Sequence, residues 1–259
     1  GSGVIDAVGD GVDPTRVGRR VWTFGAQSYR AFGTAAEYTV VPDALAVDLP
    51  DEVSDELGAC MGIPGITGHR AVFDDGPVSG MTVLVHGVLG GVGSMAAQLA
   101  RWGGATVIGT VRQSSDITRV ANTVADVVVA LDDADPAATI RSTAPDGVDR
   151  IVEVAFSDNV DLDAAVAHNG TVIAAYATRA ERPDFPFWPM LFDNITIRLL
   201  GSDDFPSEAK VQAAADLTAA ARYGALSART GDPVPLDQIV EAHELVRAGA
   251  PARVLLGIE

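Results

Sequence analysis

The sequence predicts an α/β fold with a doubly wound parallel sheet, and three features of one segment predict it. An apolar, β-branched run at residues 82–85 leads into a glycine-rich stretch at residues 86–93. An apolar stripe at helical spacing follows, formed by Met95, Ala96, Leu99, Ala100 and Trp102. A second apolar run at residues 105–111 closes a strand–turn–helix–strand unit of about 30 residues, the length that such a unit needs.

Residues 1–62 are predicted to be rich in strands and turns. Short apolar runs predict strands at residues 4–8, 20–24 and 35–41, and glycine, aspartate and proline separate them. Residues 51–59 have helical character. Ser54 is the predicted N-cap of that helix, because its hydroxyl can accept a hydrogen bond from a first-turn N–H.

From residue 63 to about residue 202, strands and helices alternate, which is typical of a parallel sheet covered on both faces. After the glycine stretch, strands are predicted at residues 127–131, 150–155, 171–176 and 195–201. Helices are predicted near residues 116–122, 136–143 and 159–167. An alanine-rich helix, a second helix and a final strand are predicted at residues 207–223, 236–249 and 253–258.

Composition limits the class of protein. The length of 259 residues is enough for one large or two modest domains. The hydrophobic content of 47% is enough for packed cores. No apolar run reaches the length of a membrane span, and the N-terminus does not resemble a signal peptide. The single cysteine, Cys60, excludes an internal disulfide framework and a cysteine-rich zinc site. These features predict a soluble, cytoplasmic protein.

The net charge of −17 bears on the partners of the protein, and Lys210 is its only lysine. An acidic surface repels nucleic acid and anionic membranes, so neither is expected as a partner. Solubility explains the charge, and adaptation to high salt is the alternative.

The glycine stretch has the pattern of a turn that binds the phosphates of a dinucleotide. Gly90, Gly91, Val92 and Gly93 fall where a strand must reverse sharply into a helix, and glycine permits that turn. The missing side chains also let a pyrophosphate approach the bare N–H groups at the helix start. The pattern therefore predicts a dinucleotide site. The alternative is a turn that only packs the helix on the strand.

The residues after the second strand bear on which dinucleotide is bound. NAD-specific folds place an acid at the tip of that strand to hold the ribose 2′-hydroxyl, but this strand ends without one. Guanidinium and hydroxyl donors suit a 2′-phosphate, so Arg112, Ser114 and Ser115 are candidate ligands and favour NADPH over NADH. Thr110 and Arg119 are further candidates for cofactor binding, and for Arg119 a solvated helix arginine is the alternative.

Six short motifs follow one another along nearly the whole chain. They lie at residues 3–12 (GVIDAVGDGV), 17–22 (VGRRVW), 33–38 (GTAAEY), 62–71 (GIPGITGHRA), 85–93 (VHGVLGGVG) and 241–245 (EAHEL). In order and spacing they resemble the medium-chain dehydrogenase/reductase superfamily, in its zinc-free quinone oxidoreductase (zeta-crystallin-like) branch.

The resemblance implies a domain organisation. A dinucleotide-binding Rossmann domain is expected at residues 63–222, and residues 1–62 with 223–259 are expected to form a smaller, β-rich, GroES-like catalytic domain. The catalytic domain is expected to be N-terminally incomplete, its first part being either removed from this chain or natively absent.

The resemblance also implies roles for single residues. Thr67 matches a threonine that lies beside the nicotinamide, and His69 is close enough in the sequence to be a candidate proton donor. Trp188 belongs to an apolar loop whose counterpart in the family approaches the nicotinamide, so it is a candidate substrate contact. Tyr29 and Trp22 are candidates to line the substrate cleft.

The chain departs from the family pattern at several positions. Val88 replaces a small residue and is expected to be tolerated in the turn, although its branched side chain could crowd a pyrophosphate. Asp116 and Leu131 replace a lysine and a tyrosine that some relatives use, so Arg112 or Arg119 would have to compensate. Zinc-dependent relatives have a ligand cysteine where this chain has Ile63, and the four histidines show no ligand spacing, so no metal is expected.

Together these features predict zinc-free transfer of hydride from NADPH to a quinone or an α,β-unsaturated carbonyl. The alternatives are an enoyl-thioester reductase and a non-catalytic dinucleotide-binding protein. The resemblance also implies a homodimer, formed through the apolar strand Ile195–Gly201.

Overall fold

The computed structural model describes residues 1–258, and its helices and strands are numbered along the chain. The first are β1 (Ser2–Val4), β2 (Arg20–Thr23), β3 (Ala46–Asp48), α1 (Asp55–Phe73), β4 (Thr82–Val85), α2 (Gly91–Trp102), β5 (Thr106–Val111), β6 (Val127–Ala130) and α3 (Pro136–Thr143). The others are β7 (Val148–Glu153), α4 (Phe156–Val166), β8 (Ala167–Ala175), α5 (Phe187–Phe192), β9 (Thr196–Leu199), α6 (Ser207–Arg222), β10 (Val234–Pro235), α7 (Ile239–Arg247) and β11 (Leu256–Gly257).

The main sheet has six parallel strands in the order β6-β5-β4-β7-β8-β9. Side chains alternate between the two faces along a strand. In β4, Val83 and Val85 therefore pack in one buried cluster, while Leu84 packs in a second one. Both faces of the main sheet are thus buried, which explains why its strands are continuous apolar runs in the sequence. The prediction of a doubly wound α/β fold is confirmed, and the four strands predicted after the glycine stretch are present with shifted ends.

Helix α1 is 19 residues long and is kinked at Gly62, whose φ of −40° and ψ of −114° are not helical. Pro64 follows, and a proline inside a helix lacks an N–H and crowds the carbonyl four residues before it. The helix predicted at residues 51–59 was thus placed too early and too short. Ser54 caps α1 as predicted, since its Oγ accepts a hydrogen bond from Leu57 N at 3.2 Å. No helix among residues 1–258 combines the length and apolar character needed to cross a membrane.

The chain divides into two compact units. One unit is Thr67–Ala209 and contains the main sheet, and the other is Gly1–Ile66 with the residues from Lys210 onward. In the second unit, β1, β2 and β3 form an antiparallel sheet, and β10 pairs in parallel with β11. The domain limits predicted at residues 62 and 222 stay a prediction.

Several short elements differ from the prediction. Residues 35–41 are irregular, and no described strand lies beside them to pair with. Tyr38 and Val40 of this segment are exposed. The strand predicted at residues 4–8 lies instead at Ser2–Val4, where β2 offers it an antiparallel partner. A helix predicted at residues 116–122 is a 3-10 turn at Ser114–Arg119. These segments are too short for apolar pattern alone to outweigh the need for a hydrogen-bonding partner.

Val88, which lies in the turn after β4, points into the core. It is 2% exposed and packs in the same buried cluster as Val83 and Val85. A Cβ on Gly109 of β5 would lie 2.7 and 3.0 Å from the two methyl carbons of Val88. Gly109 therefore leaves the space that the branched side chain fills, and the turn is not crowded on its outer side.

We expect Gly109→Ala to lower the free energy of unfolding by about 1–3 kcal/mol, because the added methyl overlaps Val88 in a filled core. Urea unfolding followed by circular dichroism measures the loss. The double variant Val88→Ala/Gly109→Ala should recover most of it.

Gly201→Ala is the matched control, since a Cβ there meets no atom within 4 Å and the φ of Gly201 is −116°. It should change the free energy of unfolding by less than about 0.5 kcal/mol. A Gly109→Ala protein as stable as the wild type would contradict the packing of Val88 against Gly109.

Candidate functional site

The candidate site begins where β4 ends and the chain reverses into α2. Gly90 is the N-cap of α2, and no side chain caps the helix start. Gly90 and Gly91 are exposed. The first N–H groups of a helix have no partner within the helix, and they carry the positive end of its dipole. The N-terminus of α2 is thus suited to bind an anion.

Close backbone packing makes glycine necessary in this turn. Gly90 N donates to Gly87 O at 2.8 Å, and Gly87 has a left-handed φ of 66°. A Cβ on Gly93 would lie 2.4 Å from Gly87 O and 2.9 Å from His86 O. Real Cβ atoms do not approach a carbonyl oxygen so closely, so Gly93 permits the helix to pack directly against the end of the strand.

The turn also lies at the reversal point of the sheet. β5 and then β6 lie on one side of β4, whereas β7, β8 and β9 lie in that order on the other side. Ligands of open parallel sheets bind at the carboxyl ends of the strands where the order reverses. The anion-binding helix start and the reversal point coincide at residues 86–93.

The residues predicted to favour NADPH over NADH lie at and after the carboxyl end of β5. Arg112 and Ser115 are exposed there. Ser114 N donates to Asp132 Oδ1 at 2.8 Å, and Ser114 Oγ lies 3.4 Å from Asp132 Oδ2. Arg119 pairs with Asp116, which occupies its guanidinium with an acid of the same turn. The structure thus brings an acid to the tip of β5 from the loop after β6.

Asp132 was not a predicted site residue. It lies 20 positions after Arg112, and only the pairing of β5 with β6 brings the two ends together. Its position directly after a predicted strand could have suggested it, because the ends of neighbouring parallel strands meet at one edge.

A buried polar cluster lies beneath the turn. His86, the residue before Gly87, has Nδ1 3.0 Å from Thr110 Oγ1 and Nε2 2.9 Å from Asp163 Oδ1. Its Nε2 is also 3.6 Å from Glu153 Oε2. His86, Thr110, Glu153 and Asp163 are fully buried residues. Glu153 Oε1 accepts hydrogen bonds from Asn159 Nδ2 and from Ala155 N. The buried charges therefore lie directly under the backbone that turns into α2.

The cluster shifts the ionisation of its members. Burial alone lowers the pKa of His86, but the charge of Asp163, its hydrogen bond and Glu153 outweigh burial and raise that pKa. Burial, helped by Asp163, raises the pKa of Glu153 against the opposing charge of His86. Burial and the charge of Glu153 also raise the pKa of Tyr176. A protonated His86 ring donates from both nitrogens, to Thr110 and to Asp163.

Histidine, cysteine, aspartate and glutamate can each offer an atom to a metal ion. Among residues 1–258, one group of three such side chains has these atoms within 4.8 Å of one another, and it consists of His86, Glu153 and Asp163. Tetrahedral zinc with ligands at about 2.0–2.1 Å holds them roughly 3.3 Å apart. The 2.9 Å between His86 Nε2 and Asp163 Oδ1 is instead the length of a charge-assisted hydrogen bond. Ile63 has no ligand atom, and Cys60 is buried with a pKa that burial raises. The distances within this cluster are therefore those of hydrogen bonds and do not fit a tetrahedral zinc centre.

The other predicted site residues lie in different surroundings. Thr67 and His69 are buried in α1, and the His69 ring lies 4.9 Å from that of Phe73. Trp188 is 65% exposed at the start of α5, where its ring stacks on Phe192. Tyr29 is exposed and has a left-handed φ of 54°.

Trp22 was wrongly placed among the residues that line a cleft. Its side chain is 0% exposed, and its Nε1–H donates to Thr218 Oγ1 at 3.1 Å. It is a core residue of its unit, because the apolar ring is covered and its single donor is satisfied.

A cavity of about 550 Å³ opens at the carboxyl ends of β8 and β9. Its lining is largely apolar and includes Phe156, Ala175, Tyr176, Phe185, Leu199 and Leu200. A volume of this size suits a small organic ligand, and a mainly apolar lining with a few polar groups is typical of such sites. It was not predicted, because its walls come from segments that are separate in the sequence.

Comparison with protein families and known sequences agrees with this geometry. A family model described as "Zinc-binding dehydrogenase" matches residues 91–219. The quinone oxidoreductase of Homo sapiens is 31% identical over 255 residues, which are 97% of this chain and 75% of that protein.

Solved structures show the same fold. A mycobacterial quinone oxidoreductase superposes with a TM-score of 0.85 at 27% identity, covering 99% of this chain and 80% of that chain. A mycobacterial protein complexed with NADPH superposes with a TM-score of 0.78 at 27% identity, covering 95% of this chain and 77% of that one.

The buried cluster predicts how stability depends on pH. A group whose pKa is raised by folding binds its proton more tightly in the folded state, so stability is lost as pH rises through the folded pKa. We therefore expect the contribution of His86 to be complete below its ordinary pKa of 6.5 and to fall above it. For one proton, the slope cannot exceed about 1.4 kcal/mol per pH unit.

Urea unfolding of wild type and Asp163→Asn between pH 6 and 9 measures this term, because the substitution removes the main charge that raises the pKa of His86. In Asp163→Asn, the free energy of unfolding should not show the decrease with rising pH that His86 causes in the wild type. Asp158→Asn, at an exposed carboxylate of the same helix, should show that decrease. Equal slopes for wild type and Asp163→Asn would contradict the proposed ionisation.

Proposed function

Since the chain belongs to the quinone oxidoreductase branch of the medium-chain dehydrogenase/reductase superfamily and is an oxidoreductase, we propose that it transfers hydride from NADPH to a quinone or an α,β-unsaturated carbonyl without zinc. The observation that carries the proposal is the turn between β4 and α2. There, Gly93 lies so close to Gly87 O that a side chain is excluded, and the uncapped start of α2 faces outward. A backbone of this shape accepts a pyrophosphate.

Different groups in and beneath the turn have different proposed roles in binding the dinucleotide. The N–H groups of Gly91, Val92 and Gly93 are proposed to bind the pyrophosphate, which the dipole of α2 also attracts. Gly90 is proposed to contribute by close approach of its backbone to the pyrophosphate, since its own N–H donates to Gly87 O. Thr110 is fully buried, so it is proposed to act on the cofactor through the turn rather than by contact. The nicotinamide would supply the hydride, and the protein would contribute orientation and electrostatics.

The proposal for NADPH rests on the tip of β5. Arg112 and Ser115 are exposed and supply donors that suit a 2′-phosphate. Ser114 and Arg119 are proposed contacts as well, although each already binds an acid, Asp132 and Asp116 respectively. The mycobacterial structure with NADPH supports the assignment by similarity.

Hydride transfer to a conjugated carbonyl places negative charge on the acceptor oxygen, and a donor near that oxygen stabilises it. We assign Thr67 to positioning of the nicotinamide and His69 to proton donation. Tyr29 and Trp188 are proposed substrate contacts. The apolar cavity at the ends of β8 and β9 suits the hydrophobic part of an acceptor.

Zinc has no role in the proposed reaction. The position of the catalytic ligand cysteine is Ile63, and the buried histidine cluster has hydrogen-bond distances rather than those of a metal site. Electrostatic stabilisation of the acceptor oxygen would therefore come from side chains.

We also propose a homodimer formed through residues 195–201. β9 is an edge strand of the main sheet, so one row of its backbone groups has no strand partner among residues 1–258. Leu199 is 80% exposed at its end, and Phe187, Trp188 and Phe192 form an exposed aromatic cluster nearby in the sequence. A cytoplasmic location remains part of the proposal.

We expect the protein to bind NADPH and to oxidise it with a quinone or an enone. Titration with NADPH and NADH gives the affinities, and absorbance at the nicotinamide band follows turnover with a panel of quinones, enones and acyl thioesters. Arg112→Ala should weaken NADPH binding about tenfold or more and leave NADH binding within about twofold, since only NADPH carries the 2′-phosphate.

Arg182→Ala is the matched control, because Arg182 is also exposed but lies outside the turn and the tip of β5. Turnover of acyl thioesters alone would favour the enoyl-thioester reductase. Binding without oxidation would favour a non-catalytic protein, and no binding of either dinucleotide would refute the central proposal.

The dimer should be visible by sedimentation at micromolar concentration. Leu199→Lys places a charge on the exposed edge and should shift the protein toward the monomer. Leu245→Lys, at an exposed leucine of α7, should leave the mass unchanged. A wild-type protein that sediments as a monomer at all concentrations would refute the proposed interface.

A further inference from the structure

The glycine turn is held from beneath by a row of hydrogen bonds. His86 N donates to Val152 O of β7 at 3.0 Å, and Val88 N donates to Thr110 O of β5 at 3.1 Å. Between them, Gly87 N donates to the hydroxyl Oγ1 of Thr110 at 3.2 Å. Three successive N–H groups are thus fixed to the two strands that flank β4, and the middle one depends on a side chain.

Thr110 in turn depends on His86. The same hydroxyl that receives Gly87 N–H lies 3.0 Å from His86 Nδ1. The opposite side of the imidazole ring is anchored at 2.9 Å by Asp163 of α4. A chain of contacts therefore runs from α4 through the ring to the first glycine of the turn.

A purely structural role does not explain why this cluster is ionic. Burying charges costs several kcal/mol per ion, and apolar residues of similar size often stabilise a core equally well or better. Two carboxylate oxygens, Glu153 Oε2 and Asp163 Oδ2, have no hydrogen-bond partner. Stability alone does not require an ionic cluster here, and the arrangement sets the orientation of one ring beside Gly87.

We propose that His86, clamped between Thr110 and Asp163, is a positioning residue that fixes Gly87 and the following turn in the shape that binds the dinucleotide pyrophosphate. The left-handed Gly87 places its carbonyl against Gly90 and Gly93, so a shift of Gly87 would move the start of α2. This inference rests on the proposed function, because the ligand is the cofactor of that reaction.

Substitutions at Thr110 separate the hydroxyl from the shape of the side chain. Thr110→Val keeps the volume but removes the acceptor for Gly87 N–H and the partner of His86 Nδ1. It should raise the dissociation constant for NADPH about tenfold, while Thr110→Ser, which keeps the hydroxyl, should stay within about threefold of wild type. Asp163→Asn, which keeps a hydrogen-bonding group without the charge, should give an intermediate effect.

The readouts distinguish positioning from a loss of stability. Steady-state kinetics should show a higher KM for NADPH with an unchanged KM for the acceptor, and the amide resonances of Gly87 and Gly90 should shift in the cofactor-free Thr110→Val protein. Ile140→Val, at a fully buried side chain of α3 away from the turn, is a control that lowers stability without changing cofactor affinity.

The outcomes are separable. If the wild type binds a dinucleotide and Thr110→Val and Asp163→Asn bind it equally well, this inference alone is overturned. The same conclusion follows if Ile140→Val, matched for stability, weakens binding as much as Thr110→Val. If the wild type binds neither NADPH nor NADH, the proposed function falls, and this inference falls with it.

Discussion

The contact between Gly87 and Gly93 is the constraint on which the rest of the site depends. One strand must pass into one helix within a few residues, and the carbonyl of Gly87 occupies the space in which a Cβ of Gly93 would lie. This contact sets α2 against the end of β4 and points its free N–H groups outward. The sheet order then places β5 and β7 on either side of that point, so the anion site and the reversal of the sheet coincide.

The packing around the turn follows from the same constraint. The side chain of Val88 is directed into the core, where Gly109 leaves space for it. Beside this apolar packing lies a buried polar cluster, with His86 held between Thr110 and Asp163. An apolar core fills volume without direction, whereas hydrogen bonds fix orientation, and the turn needs its first glycine in one orientation.

Much of this site was predictable from local pattern. The glycine spacing, the apolar runs beside it and the alternation of strands and helices identify the fold and place residues 90–93, because each depends on neighbours in the sequence. The polar cluster was not predictable. Glu153 and Asp163 lie 67 and 77 positions after His86, and nothing in their local sequence marks them as its partners. Asp132 was missed for the same reason. The segment at residues 35–41 shows the opposite error, since its apolar run suits a strand but no described strand is beside it.

The sequence by itself determined the class of fold, the turn and the acidic surface, because periodicity, glycine spacing and charge are local or additive properties. It also carried the family resemblance, because motif order survives without knowledge of contacts. Tertiary structure alone decided which buried polar groups contact one another, which glycine makes room for Val88 and which acid reaches the tip of β5. Those outcomes depend on strands and helices distant in the chain lying within a few ångströms of one another, and only the register of the folded sheet brings them together.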